Sequence, residues 1–319
     1  MNVLILSART GWHTDQLCRA LRERGIGGQV VAYERLVAQI GSAASLRAAA
    51  PAATGRRPDA DAVRVMEADA VLARIVPDGS LEQIIYRVDA LHWIEDRGIP
   101  VINPARAIER SVDKFYTTAL LHEAGLSTPE TVVCEGADDA MAAVTRMLDE
   151  GADAILKPLF GSMGHGLARV GDREVAWRVI RTLAQLKSVF YVQRAIEHRG
   201  VDIRAFIVGG RVLGAIERVA VEGDWRTNVA RGGTARAIEL AAPWREMAVR
   251  AAAAVGADYA GVDLIESRDG RAYVIEVNGI PGWQGLQRAT GIDVSAAIVD
   301  HLVRRLQAGA PAASVVGPA

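Results

Sequence analysis

The apolar positions of this chain come in short runs that keep changing period. Val3 to Leu6 is apolar throughout, like a short strand. Thr14 to Arg24 carries Leu17, Ala20 and Leu21 at helical spacing and stops at Gly25. Gln29 to Tyr33 reads as a second strand, so the chain opens with a strand–helix–strand unit and predicts an open α/β lobe. Asp69 to Ile75 resumes as strand, Leu81 to Arg97 as helix, and Ile99 to Pro104 as a short strand closed by proline. A boundary is expected at Ala105 to Ser111. Beyond it the pattern predicts helices at Val112 to Glu123, Ala137 to Glu150 and Glu174 to Gln185. They are interleaved with strands at Thr131 to Val133, Ala154 to Lys157 and Ser188 to Gln193. From Ile203 strands dominate, around a turn at Gly209-Gly210, until a helix at Pro243 to Val255. Val294 to Leu306 closes the pattern as an amphipathic helix. Gly41 to Asp61, rich in Ala, Gly and Pro, is expected to be a surface loop with a weak helix, and the tail from Ala308 to be disordered.

The most informative stretch is Tyr259 to Trp283. Val262, Leu264, Tyr273, Ile275 and Val277 have strand character on either side of Asp269-Gly270, a strong hairpin signal. A turn centred on that dipeptide puts Asp263 opposite Glu276, with Cβ atoms about 5 Å apart. Asn278 shares the face of Glu276, two residues on. Facing carboxylates repel unless a cation sits between them, so removing one charge is expected to relieve the pair. Asp, Glu and Asn oxygens are the hard donors that Mg²⁺ prefers. A hairpin with a solvated acidic face is the other reading. Trp283, after a Pro-Gly turn, is expected to face an open cleft.

Composition narrows the class. The chain has 319 residues, 50% hydrophobic and 24% charged, with a net charge of −1, so nothing global steers it toward nucleic acid or a membrane. No apolar run approaches the ~20 residues of a spanning helix, and MNVLILSART lacks the basic start of a signal peptide. Cys18 and Cys134 are far apart and predict free thiols in a cytoplasmic protein. The six histidines form no zinc pattern.

Two further regions carry chemistry. Lys157 to Gly166 (KPLFGSMGHG) is a strand end running into three glycines, whose backbone N–H groups can face an anion while Lys157 reaches a phosphate. It lacks the P-loop pattern and is equally compatible with an ordinary hairpin turn. Asp202 to Asn228 is dense in Asp202, Arg204, Glu217, Arg218, Asp224, Arg226 and Asn228. Asp202 and Arg204 share a strand face, and guanidiniums gather where phosphate and carboxylate oxygens are held. A solvated sheet face is the alternative.

Together these residues resemble the ATP-grasp superfamily and, within it, the RimK-like α-L-glutamate ligases, in a coenzyme-modifying branch of the tetrahydromethanopterin and methanofuran type. The resemblance rests on SVDKFYT around Lys114, KPLFGSMGHG, YVQRAI, DIR, AIER, DWRTNVARGG, AGVD and EVNGIPGW, and runs from Ser111 to Val303. It implies an ATP-grasp fold preceded by an open α/β domain. The expected divisions are 1–110, a lid subdomain over 111–195, a metal-bearing subdomain over 196–307 and a tail over 308–319. It implies that ATP is held by Lys114, Lys157, Gly161, Ser162, Met163, Gly164, Gln193, Arg194, Ala195, Ile196, Asp202, Arg226, Thr227 and Asn228. Arg194 and Ala195 would meet adenine through the backbone. Asp263, Glu276 and Asn278 would hold one or two Mg²⁺ or Mn²⁺ ions, and Arg204, Arg218 and Arg226 would act in catalysis. The implied reaction joins L-glutamate to a carboxylate-bearing coenzyme or peptide through an acyl phosphate. A homo-oligomer is the expected assembly. The alternatives are a ribosomal-protein C-terminal glutamate ligase, a dipeptide- or glutathione-type ligase, and a nucleotide-binding regulatory protein.

Overall fold

The computed structural model describes residues 1–41, 44–51, 62–161, 166–219 and 234–309. In chain order the first lobe has β1 (Asn2–Ser7), α1 (Trp12–Arg22), β2 (Gly27–Ala32), β3 (Val37–Gln39), β4 (Ser45–Ala48), β5 (Val63–Arg64), β6 (Ala70–Ala73), α2 (Leu81–Asp96), β7 (Val101–Ile102) and α3 (Ala105–Val112). The strands order β2-β1-β6-β7, and every pair in that sheet is parallel. Alternate residues feed two cores. Val3 and Ile5 pack with Leu17 and Leu21, while Leu4 and Leu6 pack with Leu91 and Ile94. That is why Val3 to Leu6 shows no alternation: both faces are covered.

Two expectations for this lobe change. Ala105 to Ser111 lies within α3, and Ala105 and Ile108 are part of the first lobe's core, so the boundary is a packed helix. Ser45–Ala48, expected as loop, is the middle strand of a small antiparallel sheet, with Leu46 fully buried. Residues 42–43 and 52–61 of that stretch, and the tail from residue 310, lie outside the described residues.

The second unit has α4 (Lys114–Glu123), β8 (Thr131–Cys134), α5 (Ala137–Asp149), β9 (Ala154–Lys157), β10 (Ala168–Val170), α6 (Arg173–Gln185) and β11 (Phe190–Arg194). Its four strands form an antiparallel sheet, β10-β9-β11-β8, covered by α5 and α6 through Val144, Met147 and Ile180. The third has β12 (Val201–Val208), β13 (Arg211–Val219), β14 (Thr234–Ile238), α7 (Ala242–Val255), β15 (Tyr259–Glu266), β16 (Ala272–Asn278), α8 (Gln284–Thr290) and α9 (Val294–Gln307). Its sheet orders β14-β13-β12-β15-β16. Gly209 and Gly210, at φ +56° and +73°, make the tight β12–β13 turn, a backbone shape that suits glycine. One sheet face packs on α7 through Val262, Leu264 and Val277. The other begins as an apolar contact with the first lobe, through Phe206, Ile216, Tyr259 and Trp283, and ends in charged residues. Helix α9 returns to α1, with Arg19–Asp293 and Arg24–Asp300 ion pairs of 2.6 Å each. Among the described residues, no helix is long and apolar enough to cross a membrane.

Candidate active site

The site begins with strand register. Asp202 and Arg204 are two apart on β12 and share a face. Antiparallel pairing sets Arg218 opposite Asp202, Asp263 opposite Arg204, and Glu276 opposite Asp263. Arg204, Asp263 and Glu276 therefore form one rung across three strands. These charges are not a solvated face: Arg218, Asp263 and Asp202 are 4%, 6% and 8% exposed. Arg218 Nε and Nη2 donate to the two Asp202 oxygens at 2.6 Å each, and Nη2 also lies 3.0 Å from Asp263 Oδ2. Arg204 grips Asp263 in the same forked way, again at 2.6 Å and 2.6 Å. Burial alone would raise the Asp263 carboxyl, but Arg204 and then Arg218 overcome it and hold its pKa below the ordinary value.

The lysines come from the facing unit. Lys157 ends β9, opposite Tyr191 of β11. Its Nζ donates to Gln193 Oε1 at 2.6 Å and lies 5.8 Å from the centre of the Tyr191 ring. Gln193 is held in turn, its Nε2 donating to Thr131 Oγ1 at 2.9 Å and to Tyr191 Oη at 3.0 Å. Tyr191 Oη pairs with Thr118 Oγ1 at 2.8 Å. Burial pulls the Lys157 pKa down to about 8, with the Lys114 charge adding to that and Glu276 opposing it. Lys114, first residue of α4, donates to the Gly161 carbonyl at 2.8 Å. Its pKa is also lowered, by burial, with Glu276 and Asp113 opposing. Gly161 sits at φ +135°, a region that side chains rarely allow. The Glu276 charge thus reaches both lysines, and its strand position sets it opposite Asp263.

The residues present fit a hard divalent cation. Asp263 and Glu276 face each other, Asn278 follows on the same side, and Asn278 Nδ2 is buried without a hydrogen-bond partner. Turning that amide over would present its oxygen instead. Among the described residues, no three His, Cys, Asp or Glu side chains group as a metal site. The two carboxylates and one amide need further oxygens from a ligand.

The remaining expected residues divide. The Gln193 side chain is committed to Lys157, so the structure places it behind that lysine. Arg194 pairs with Glu130, at 2.8 Å, and with Glu150, and its own N–H donates to the Glu130 carbonyl at 2.9 Å. The Ala195 N–H donates to the Asp153 carbonyl at 2.8 Å. Ser162, Met163, Gly164, Arg226, Thr227 and Asn228 lie outside the described residues. Trp283 does not face a cleft. It is 0% exposed, packed edge-on to His13 at 4.6 Å and under the Arg74 guanidinium at 4.6 Å. Sequence reasoning missed Tyr191, Thr131 and Thr118. The only signal was the two-residue spacing of Tyr191 and Gln193, which puts both on the Lys157 side.

Five antiparallel strands carrying paired carboxylates, faced by a four-stranded unit that supplies two lysines beside a glycine loop, define an ATP-grasp ligase. The chain belongs to the RimK-like ATP-grasp family, whose domain is matched over residues 111–302. It is 34% identical over 267 residues to the tetrahydromethanopterin:α-L-glutamate ligase of Methanosarcina acetivorans, covering 75% of this chain and 81% of that one. It is 33% identical over 306 residues to probable α-L-glutamate ligase 2 of Hahella chejuensis, covering 95% and 96%. Among solved structures, the ATP-grasp ligase PsnB with minimal precursor, Mg and ADP superposes with a TM-score of 0.71. The identity is 21%, and 96% of this chain and 98% of that chain are covered.

Proposed function

We propose that this protein is an ATP-dependent ligase that joins the amine of L-glutamate to a carboxylate on a coenzyme-like small molecule. The observation that carries the reading is that Glu276, opposite Asp263 in one rung with Arg204, places its charge close enough to act on both Lys114 and Lys157. Two lysines suit a polyphosphate, and the carboxylates suit the divalent ion that accompanies it. The names of the relatives supply glutamate and the acceptor class.

In this reading Lys114 and Lys157 bind ATP phosphates, and Gln193 keeps Lys157 aimed. The N–H groups of Arg194 and Ala195 are already donated within the protein, so an adenine contact through an N–H falls to Ile196. Asp263, Glu276 and Asn278 hold one or two Mg²⁺ or Mn²⁺ ions, which neutralise phosphate charge when bound. The acceptor carboxylate attacks the γ-phosphorus, ADP leaves, and an acyl phosphate forms. The glutamate amine then attacks the acyl carbon, phosphate leaves, and the amine proton passes to solvent or phosphate. Arg204 is suited to the phosphoryl oxygens of that intermediate. Arg218, buried between Asp202 and Asp263, sets the rung in place. Arg226 completes the proposed set. The reading also includes a cytoplasmic location and self-association, which fractionation and light scattering test.

The test is ADP release by purified protein with Mg²⁺, ATP and a panel of carboxylate acceptors, each with and without glutamate, followed by mass spectrometry. A glutamyl addition that requires both partners is expected. ADP release indifferent to glutamate across the whole panel would reject the reading.

A further inference from the structure

Asp263 is the residue best placed to hold a metal ion, yet its carboxylate is already matched to cations. Oδ1 accepts from Arg204 Nε, and Oδ2 accepts from Arg204 Nη2 and lies 3.0 Å from Arg218 Nη2. Of about four lone-pair positions, three are engaged. The charges around the rung point the same way. Among the described residues, four carboxylates (Asp202, Asp263, Glu276 and, beside Lys114, Asp113) face four cations (Arg204, Arg218, Lys114, Lys157). A divalent ion entering alone meets no excess of negative charge. The same ion entering with a polyphosphate does.

The two arginines differ in what holds them. Arg218 is 5% exposed at its side chain and locked by a second carboxylate, Asp202. Arg204 is 19% exposed and forks onto Asp263 alone. Its stem lies over Gly261, where an added Cβ would sit 3.5 Å from Arg204 Cδ and Nε. Gly261 is paired with Asn278, so the Arg204 side chain runs beside two of the three candidate metal ligands. It can swing toward the cleft without stranding a second carboxylate.

We propose that Arg204 is the cation of this rung before nucleotide arrives, and that a divalent ion takes Asp263 only together with ATP phosphates, releasing the guanidinium toward the transferred phosphoryl group. Arg204 thereby positions the metal by excluding it until its phosphate ligands are present. The inference rests on the ATP-and-metal reading above.

The test is Mn²⁺ binding, read by the paramagnetic resonance of free Mn²⁺, with and without a non-hydrolysable ATP analogue. Wild type is compared with Arg204→Met and Arg204→Lys, each checked for folding by its melting curve. Wild type is expected to bind Mn²⁺ with the analogue and weakly without it. Arg204→Met removes the competing charge and should bind Mn²⁺ alone about tenfold more tightly or better. Arg204→Lys keeps the charge but not the fork, and should fall between. If Arg204→Met does not fold, Arg204→Lys carries the comparison. Equal Mn²⁺ affinity without nucleotide in wild type and variant overturns the proposal. Absence of Mn²⁺ binding to wild type even with the analogue overturns the ATP-and-metal reading instead, and this inference with it.

Discussion

Glu276 changes meaning once its neighbours are known. Its sequence partner Asp263 suggests mutual repulsion, and removal of one charge would then stabilise the protein. The structure gives Asp263 its own guanidiniums and leaves Glu276 to support Lys157 and Lys114. Glu276→Gln is therefore not expected to raise stability. Its effect should be on the lysines. Lys157, pulled to about 8 mainly by burial, is protonated at neutral pH partly because Glu276 opposes that pull. Bound phosphate favours the charged lysine, so nucleotide affinity should fall as pH rises through about 8. In Glu276→Gln the Lys157 pKa drops further, and the break should move to lower pH. Calorimetric titration with ADP in metal-free buffer, repeated across pH, reads the break directly. The same break in both proteins would show that Glu276 does not act on Lys157.

At the scale of elements, Asn103 does what no strand pattern reveals. It is fully buried, its Oδ1 accepts the Tyr259 N–H at 2.9 Å, and its Nδ2 donates to the Tyr259 carbonyl at 2.7 Å and to the Gly279 carbonyl. One carboxamide so ties the start of β15 to the residue after β16, closing the end of the hairpin that carries Asn278. Asn103→Ala leaves three backbone groups unmatched in a dry core, each costing about 1–3 kcal/mol. The urea midpoint should fall clearly, with little change in slope. A change within about 0.5 kcal/mol, the range of an ordinary surface substitution, would remove Asn103 from this role. The hairpin itself was largely legible. Asp263 does face Glu276, but by a different route. The loop is Arg268, Asp269 and Gly270, with Gly270 at φ +83° closing it, so pairing starts one step off the expected register. A bulge between Asp263 and Leu264 restores it. Two-residue alternation shows the faces and cannot show a bulge. Helix α8 and the packed α3 escaped for a related reason: both are short, and tertiary contact decides them. The ion pairs Arg204–Asp263 and Arg218–Asp202 needed the strand order, which local patterning does not contain.

Across the whole molecule, the first lobe is fastened to the five-stranded sheet through a mixed apolar and polar core. Trp283 is its centre, and Arg74, 3% exposed, lies over it while donating to Tyr259 Oη at 3.0 Å and to the Pro281 carbonyl at 3.2 Å. His13 Nε2 accepts from the Trp283 backbone N–H, 3.3 Å away. Burial, and then the Arg74 charge, pull the His13 pKa from 6.5 to about 4. A proton on His13 would take away that acceptor and set a second cation beside Arg74. The unfolded chain binds this proton more readily than the folded one. The contribution of His13 to stability is therefore complete above pH 6.5 and is lost as pH falls toward about 4. His13→Gln retains an oxygen acceptor and does not titrate. Other carboxylates also weaken the fold in acid, so the informative quantity is a difference between proteins. Urea unfolding free energies should drop less between neutral pH and about pH 4.5 in His13→Gln than in wild type. An identical drop in both would mean that the joint between the lobe and the sheet is insensitive to His13, and that its acid lability arises in the carboxylates alone.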